Sequence, residues 1–239
     1  MALEEGARLD LVNQSTRGRS RLQERLSGYR FGVVLLLLLV TFIFLASGPT
    51  GNWAALVAVV LQGATLLAAL SAAEAHRALW RIALVVILVT LASAVVGVIV
   101  GVSNVTGLLF LLSLFLVAGA PIVIVRALVR RRMIDYRTVM GALCVYVLLG
   151  MLWSFAFGAV GELGSVHFFA QQHSATVADY LYFSFVTLTT VGYGDLTAAT
   201  GLGRALAVLE ALLGQIYLVT VVALLVSNIS HRAGSSTEA

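Results

Sequence analysis

Long segments without charged side chains constrain this chain more than any other feature of its sequence. They are Phe31–Gly51, Trp53–Ala73, Ile82–Val125, Thr138–Gly161 and, interrupted only by Glu210, Ala205–Ser230. Only 11% of the residues are charged, whereas about a quarter are charged in an average soluble domain. Because a bilayer is the environment that favours such segments, we expect an integral membrane protein.

Length sets the number of helices that cross the membrane. A helix needs about 20 apolar residues to cross about 30 Å of hydrocarbon. The segment 82–125 is long enough to cross twice, with a Gly/Ser/Asn/Thr-rich break at 101–107. The sequence therefore predicts an all-α membrane protein with six transmembrane helices, near residues 31–47, 53–73, 80–101, 107–126, 138–158 and 203–229.

The arginines give these helices an orientation. All fifteen basic residues are arginines, and they concentrate before the first predicted span, between the second and third, and between the fourth and fifth. Since cytoplasmic loops carry the excess of basic residues, both termini are predicted to be cytoplasmic in a multi-pass protein of the plasma membrane. Arg204 is the exception, and it can snorkel to the interface from the outer end of the sixth span. The composition, rich in Arg, Ala, Val, Leu and Gly, is typical of a GC-rich bacterial genome.

A seven-residue segment before the last span, Thr189–Asp195, reads Thr-Thr-Val-Gly-Tyr-Gly-Asp. An extended strand points its carbonyls alternately to two sides, so carbonyls on one side require backbone of alternating handedness. Gly192 and Gly194 supply two positions where a positive φ costs little. The segment resembles the selectivity filter of potassium channels, in which such carbonyls replace the hydration shell of the ion.

This resemblance covers about residues 138–230, as a span, a short helix, the filter and a second span. It points to the six-span, pore-loop cation channel superfamily that includes the voltage-gated channels, and to its bacterial members. The resemblance implies four residues whose carbonyls coordinate K⁺: Thr190, Val191, Gly192 and Tyr193. It also places the Thr190 hydroxyl at the inner end of the filter and Asp195 at the outer mouth. Since one chain supplies a quarter of the cage, four chains around a central pore, a homotetramer, are implied.

Ahead of the filter, Asp179–Thr189 is too short to span a membrane. We interpret it as a re-entrant pore helix with Asp179 as its N-cap, whose negative C-terminal end favours a cation at the membrane centre. The channel resemblance implies that Tyr182 and Phe183 form an aromatic cuff that packs against Tyr193 of a neighbouring chain.

The last span contains the residues predicted to line and gate the pore. Gly214 follows Gly194 by twenty residues, where related channels have a hinge glycine; bending during gating and close helix packing are both open as its reason. Helical periodicity places four residues on one face as candidates for the cavity and gate: Gln215, Leu218, Val222 and Val226. A ring of apolar side chains can close a pore by dewetting, so Val222 or Val226 is the predicted constriction.

Glu210 is the only acid within any predicted span, where a charge is costly and therefore suggests a function. It lies one turn before Gly214. Three roles are open for it: a structural hydrogen bond to Ser184 or Thr187 behind the filter, proton sensing or gating, and direct contact with ions.

Four spans ahead of a pore match the layout of voltage-gated channels, but the fourth lacks their charges. A voltage sensor needs arginines at every third residue, because moving a charge through the field is worth about 2.3 kcal/mol per 100 mV. Residues 104–125 contain none. We therefore predict a sensor-like domain without gating arginines, in a channel that is not strongly voltage-gated.

A cluster of arginines follows the fourth span where the linker meets the cytoplasmic leaflet: Arg126, Arg130, Arg131 and Arg132. Anionic lipid would be attracted at about 1 kcal/mol per charge. Modulation of gating by lipid and a role in topology alone are both open for this cluster.

The predicted organisation has five parts. They are a cytoplasmic basic N-terminal segment (1–30), a four-helix voltage-sensor-like domain (31–126), a cytoplasmic linker (127–137), a pore domain (138–230) and a short cytoplasmic tail (231–239). We expect no sensory domain after the pore. Gating would then come from the membrane part, from the filter or from a separate regulatory subunit.

These features predict a potassium-selective channel that conducts K⁺ passively, with no organic cofactor and no nucleic-acid partner. A voltage-gated potassium channel is the first alternative and a potassium transporter subunit the second. Carriers built on pore-like repeats place several pore units in one chain, and this sequence shows one. No metal-ligand cluster and no nucleophile with a base is visible in the sequence, so we do not expect an enzyme.

Overall fold

The structure, a computed structural model, describes residues 30–49, 51–100, 106–129, 136–171 and 174–235. In these ranges the chain forms seven helices: α1 (Arg30–Ala46), α2 (Asn52–Ala72), α3 (Arg77–Val100), α4 (Thr106–Val129), α5 (Tyr136–Leu163), α6 (Val177–Leu188) and α7 (Gly201–Ser235). An isolated antiparallel bridge between Phe169 and Ala198 is the only β-type pairing in the same ranges. The all-α prediction is therefore confirmed for the described residues.

Five of the described helices are long and apolar enough to cross a membrane: α2, α3, α4, α5 and α7. Their boundaries agree with the predicted spans to within a few residues. The first predicted span corresponds to α1, an apolar helix of 17 residues, and the count of six spans stays a prediction. The chain is a multi-pass membrane protein.

Large apolar side chains cover the outer surfaces of α3 and α7. Leu88 and Ile99 on α3 are 62% and 78% exposed, and Val219 on α7 is 65% exposed. Contact with water would make such surfaces costly, whereas lipid tails are as apolar as these side chains. These two helices therefore present faces suited to lipid or to other protein chains.

The interior of the α1–α4 bundle contains polar side chains but, among the described residues, no buried charged one. Thr41, Thr65 and Thr90 are buried, and each donates its hydroxyl to the carbonyl four residues earlier in its own helix, at 2.7 to 2.8 Å. Such local bonds satisfy the hydroxyls without a partner from another helix. Arg30 and Glu74 form an ion pair at the surface, at 4.0 Å.

The helices α4 and α5 pack antiparallel, and glycines on α5 allow their close approach. A Cβ on Gly141 would lie 2.9 Å from the side chain of Leu128, and a Cβ on Gly158 would overlap the ring of Phe110. The two contacts lie near opposite ends of the helix pair. The α1–α4 bundle is therefore held directly against the second half of its own chain.

The short helix α6 packs against both α5 and α7 and corresponds to the predicted pore helix. Its N-cap is Thr176, whose hydroxyl accepts a hydrogen bond from the Asp179 N–H at 3.3 Å. The Asp179 carboxylate in turn accepts from the Thr176 N–H at 2.7 Å. The prediction that Asp179 is the N-cap is therefore wrong: in this capping box Asp179 occupies the third helical position, and each residue satisfies an N–H of the other.

An aromatic cluster fixes the position of α6. Tyr180 and Phe183 on α6 pack against Phe168 and Phe169 from the loop after α5, with ring centroids 5.2 to 5.8 Å apart. Phe157 on α5 joins them, 5.2 Å from Phe183. These rings are buried, and they hold the first two turns of α6 against α5 and the loop that follows it.

Candidate functional site

The backbone at Thr189–Asp195 alternates in handedness. Thr190, Gly192 and Gly194 have φ of 58°, 58° and 83°. The two glycines match the sequence-based expectation. The left-handed backbone of Thr190 was not predicted, because a β-branched residue is rarely left-handed and such a conformation costs about 1–3 kcal/mol. Its surroundings must therefore hold it in place.

The N–H groups of this segment point back at the end of α6. The N–H of Thr190 donates to the Thr187 carbonyl at 3.0 Å, and those of Val191 and Gly192 share the Val186 carbonyl, at 3.0 and 3.4 Å. The described chain contains no cis peptide, and in a trans peptide the carbonyl points opposite to the N–H. The carbonyls of Thr190 and Val191, which share peptide units with the last two donors, therefore both point away from α6.

The segment is uncovered in a single chain. Val191 and Tyr193 are 52% and 70% exposed. Two clefts lie beside it, one of about 520 Å³ lined in part by Gly192 and Gly194, and one of about 370 Å³ lined in part by Val191 and Tyr193. The backbone whose Thr190 and Val191 carbonyls point away from α6 therefore has open space around it.

The helix α7 supports the Thr190 end of the segment. The Gln215 side-chain amide donates to the Thr190 hydroxyl at 3.1 Å. One residue earlier, Gly214 packs against the end of α6, because a Cβ there would lie 2.7 Å from the Leu188 carbonyl oxygen. The helix runs through Gly214 without a break. Close packing, one of the two reasons considered for this glycine, is what the contacts support.

One turn earlier on α7, Glu210 is fully buried. Its Oε1 lies 2.5 Å from the hydroxyl of Ser184, and the same hydroxyl lies 2.6 Å from the Gly150 carbonyl on α5. Of the two partners considered for Glu210, Ser184 is the one in contact. The other oxygen, Oε2, has no hydrogen-bond partner among the described residues.

Tyr182 supports the Asp195 end of the segment. Its hydroxyl donates to the Asp195 carboxylate at 2.8 Å, and its ring lies parallel to that of Tyr193, with centroids 6.4 Å apart and planes 3° apart. The hydrogen bond to Asp195 raises the pKa of Tyr182, so the phenol stays a donor. Tyr182 thus stacks on Tyr193 of its own chain, whereas the predicted contact is with Tyr193 of a neighbouring chain and stays a prediction. Phe183 belongs to the aromatic cluster behind α6 instead, because adjacent helical residues point about 100° apart.

The loop after α5 pairs with the chain that leaves the segment. Gln171 donates to the Thr197 hydroxyl at 2.7 Å and accepts from the Thr197 N–H at 2.9 Å. From the other side, Arg204 donates to the Ala198 carbonyl at 3.1 Å. Sequence analysis missed Gln171 and Thr197, because polar loop residues carry no periodic pattern.

The remaining predicted site residues make none of these contacts. Leu218 and Val222 on α7 are exposed, as is Arg126 near the end of α4. Three further predicted residues lie outside the described residues: Arg130, Arg131 and Arg132. Val226 lies within α7, but its side chain is not described.

The described helices are mostly long and apolar. Between the last two long helices lie a short capped helix and a segment whose carbonyls point to one side. These features are those of a membrane protein with a pore-loop region. Residues 141–231, from α5 through α7, match the family model described as an ion channel. The second half of this membrane protein is therefore similar to ion-channel domains.

The chain is also similar to individual proteins over a segment of comparable length. Over 95 residues the chain is 34% identical to potassium voltage-gated channel subfamily A member 10 of Gallus gallus, and 33% identical to the proteins of that name from Mus musculus and Homo sapiens. These matches cover 38% of this chain and 18% to 19% of each relative. The chain therefore spans about a fifth of the length of these relatives. No solved structure matches at a significant level.

Proposed function

We propose that this protein is a potassium-selective ion channel and that Thr189–Asp195 is its selectivity filter. The proposal depends on one observation: left-handed backbone alternates at Thr190, Gly192 and Gly194 while the neighbouring N–H groups are anchored to α6. This arrangement aims successive carbonyls to one side, as the known chemistry of potassium channels requires. The ion-channel match and the similarity to proteins named as potassium channels support the same function.

Potassium is the permeant ion in this proposal, and backbone oxygens hold it. The carbonyls come from four consecutive residues: Thr190, Val191, Gly192 and Tyr193. Oxygen ligands without charge bind the ion firmly enough to replace water and loosely enough to release it to the next site. The Thr190 hydroxyl lies at the inner end, and the Asp195 carboxylate, oriented by Tyr182, attracts cations at the outer mouth.

The exposure of the filter in a single chain supports the proposal that the protein assembles as a homotetramer. Non-helical backbone at membrane depth is tolerated only where protein buries it or where it lines a water-filled cavity. A single chain leaves Val191 and Tyr193 largely exposed, with clefts of about 520 and 370 Å³ beside them. Four copies around an axis would fill these clefts with neighbouring chains and turn the carbonyls inward.

The same assembly makes one face of α7 the wall of the inner pore. Gln215 begins this face just below the filter, and the exposed side chains of Leu218 and Val222 follow it. We place the gate at Val222 or Val226, where four apolar side chains would exclude water when the helices approach one another.

For the first half we propose a sensor-like domain with weak voltage dependence. α4 contains a single arginine, Arg126, in its last turn, so few charges would move through the field. With α1 as a sixth span of about 26 Å, both termini lie in the cytoplasm of a bacterial cell. Arg126 and the three arginines after it then face anionic lipids of the inner leaflet. A voltage-gated channel is the alternative, favoured by the names of the relatives.

Reconstitution of the purified full chain into liposomes tests selectivity. We expect K⁺ flux, a reversal potential close to that of K⁺ in mixed K⁺ and Na⁺, and loss of this flux in Gly192→Asp although the variant still inserts. Unchanged flux in that variant would refute the filter assignment, and equal permeability to both ions would refute selectivity. Voltage steps in planar bilayers separate the alternatives, because steep activation would favour the voltage-gated one.

A further inference from the structure

Three oxygen atoms from three helices lie in a row behind the filter. The hydroxyl of Ser184 on α6 is in the middle, 2.5 Å from Oε1 of Glu210 on α7 and 2.6 Å from the carbonyl of Gly150 on α5. Both separations are within the range of O–H···O hydrogen bonds. Ser184 and Glu210 are completely buried, so solvent does not compete for these contacts.

Each of the two contacts needs a proton between its oxygens. The carbonyl of Gly150 has none, so the Ser184 hydroxyl must donate its only proton to that carbonyl. The contact between Ser184 and Glu210 then requires a proton from the carboxyl group. An ionised Glu210 would instead place two lone pairs 2.5 Å apart.

Among the residues that the structure describes, none provides a counter-charge to Glu210. From α6 it meets Ser184, and from α5 Tyr146 lies near it. On α7 itself Tyr217 stacks on Tyr146, with centroids 5.9 Å apart, and donates to the Ala142 carbonyl at 2.6 Å. No ion pair joins Glu210 to a described residue, and its Oε2 has no hydrogen-bond partner among them. Burial without such partners strongly disfavours a charge.

We propose that Glu210 is a neutral carboxylic acid that donates to Ser184, and that its proton completes a link joining α7 to α6 and α5. Ionisation leaves one proton for two contacts, so one contact breaks and α7 is no longer held against both helices. The next hydrogen bond along α7 runs from Gln215 to Thr190. Loss of the link therefore weakens the support of Thr190, because Gln215 lies on the same helix little more than one turn further on.

The consequence for conduction rests on the proposed channel function, whereas the protonation of Glu210 does not. When alkaline solution removes the proton, the filter loses part of its support from α7. We expect potassium flux to fall several-fold at that point. Glu210 is a positioning residue here, since it acts on the filter through α7.

Infrared difference spectroscopy of the purified full chain tests the protonation without any measurement of transport. Wild-type protein at neutral pH shows the C=O stretch of a protonated carboxyl, and Glu210→Gln loses it. This variant keeps the fold because its amide still donates to Ser184. Ser184→Ala shifts the band, and Glu74→Gln, at a side chain 82% exposed, leaves it unchanged. Identical spectra for wild type and Glu210→Gln would overturn the proposal.

Potassium flux from liposomes at several pH values tests the link. We expect wild-type flux to fall over the pH interval in which the infrared band disappears, and Glu210→Gln flux to stay constant over that interval. An equal fall in both proteins would overturn the link. Absence of potassium flux at every pH would refute the channel function, and the infrared spectra would still decide the state of Glu210.

Discussion

The side-chain amide of Gln215 donates a hydrogen bond of 3.1 Å to the hydroxyl of Thr190, whose backbone is left-handed with φ of 58°. A threonine in that region is strained, and strained residues persist where the surrounding structure holds them. The N–H of Thr190 is bound to the Thr187 carbonyl at 3.0 Å, so its backbone and its side chain are both fixed. The helix α7 is thereby joined to the Thr190 end of the proposed filter.

Replacement of Gln215 by leucine removes the donor to Thr190. A neutral hydrogen bond is worth about 0.5–1.5 kcal/mol, so we expect the occupancy of the conducting state to fall roughly two- to tenfold. Single-channel open probability in planar bilayers measures this. Thr220→Leu is the control, because Thr220 is exposed on α7 about 140° round the helix from Gln215. Equal losses in both variants would show that the bond to Thr190 is not responsible.

Gly192 and Gly201 are a matched pair for testing left-handed backbone. A Cβ at either position would have no atom within 4 Å, but only Gly192 has a positive φ, +58°. Gly192→Ala should disfavour the filter conformation by about 1–2 kcal/mol and lower the permeability ratio of K⁺ to Na⁺, whereas Gly201→Ala should keep it. Reversal potentials give this ratio. Wild-type ratios in both variants would contradict the role of handedness in selectivity.

Gly214→Ala distinguishes packing from bending. The added methyl group would overlap the Leu188 carbonyl, so we expect the free energy of unfolding to fall by about 1–3 kcal/mol. Gly32→Ala on α1, where a Cβ would have no neighbour within 4 Å, should instead raise it by up to about 1 kcal/mol. Unfolding in detergent measures both. A Gly214→Ala variant with wild-type stability and altered open probability would favour the hinge interpretation.

Tyr182→Phe keeps the ring beside Tyr193 and removes the hydroxyl that binds Asp195. We expect the outer end of the filter to lose its fixed carboxylate, and K⁺ current to decline several-fold faster during continuous recording. Tyr180→Phe is the control, since it removes a hydroxyl from the same helix that lies beside Gly161 on α5 and makes no contact with Asp195. The same rate of decline in both variants would refute the role of the Tyr182 hydroxyl.

The long helices were predictable because the thickness of the hydrocarbon core sets the length of a membrane-spanning helix, and segments of that length without charged residues are visible in the sequence. The start of α6 was less predictable. Thr and Asp are both favourable N-cap residues, and a capping box uses the two together. The sequence alone therefore does not show which of them is the cap, and Asp179, the predicted cap, lies three residues after the actual one. Helix existence therefore followed from composition, whereas the helix end depended on which local hydrogen bonds form.

The candidate site also has one part that could be predicted from the sequence and one part that could not. The left-handed backbone at Gly192 and Gly194 was predictable because glycine alone lacks the Cβ that opposes it. Thr190 was not, because its conformation is maintained by contacts with α6 and α7. The bond between Gln171 and Thr197 joins residues 26 positions apart, and no periodic pattern indicates it.

By itself the sequence determined that this chain enters a membrane, which of its segments are long enough to cross it, and where the backbone can turn its carbonyls to one side. These properties follow from hydrophobicity, charge and the conformational freedom of single residues. Only the tertiary structure decided what supports that backbone: Gln215 on Thr190, Tyr182 on Asp195, and Glu210 on Ser184. Such pairs depend on how α6 and α7 pack against each other and against α5, and packing between helices is a property of the whole fold.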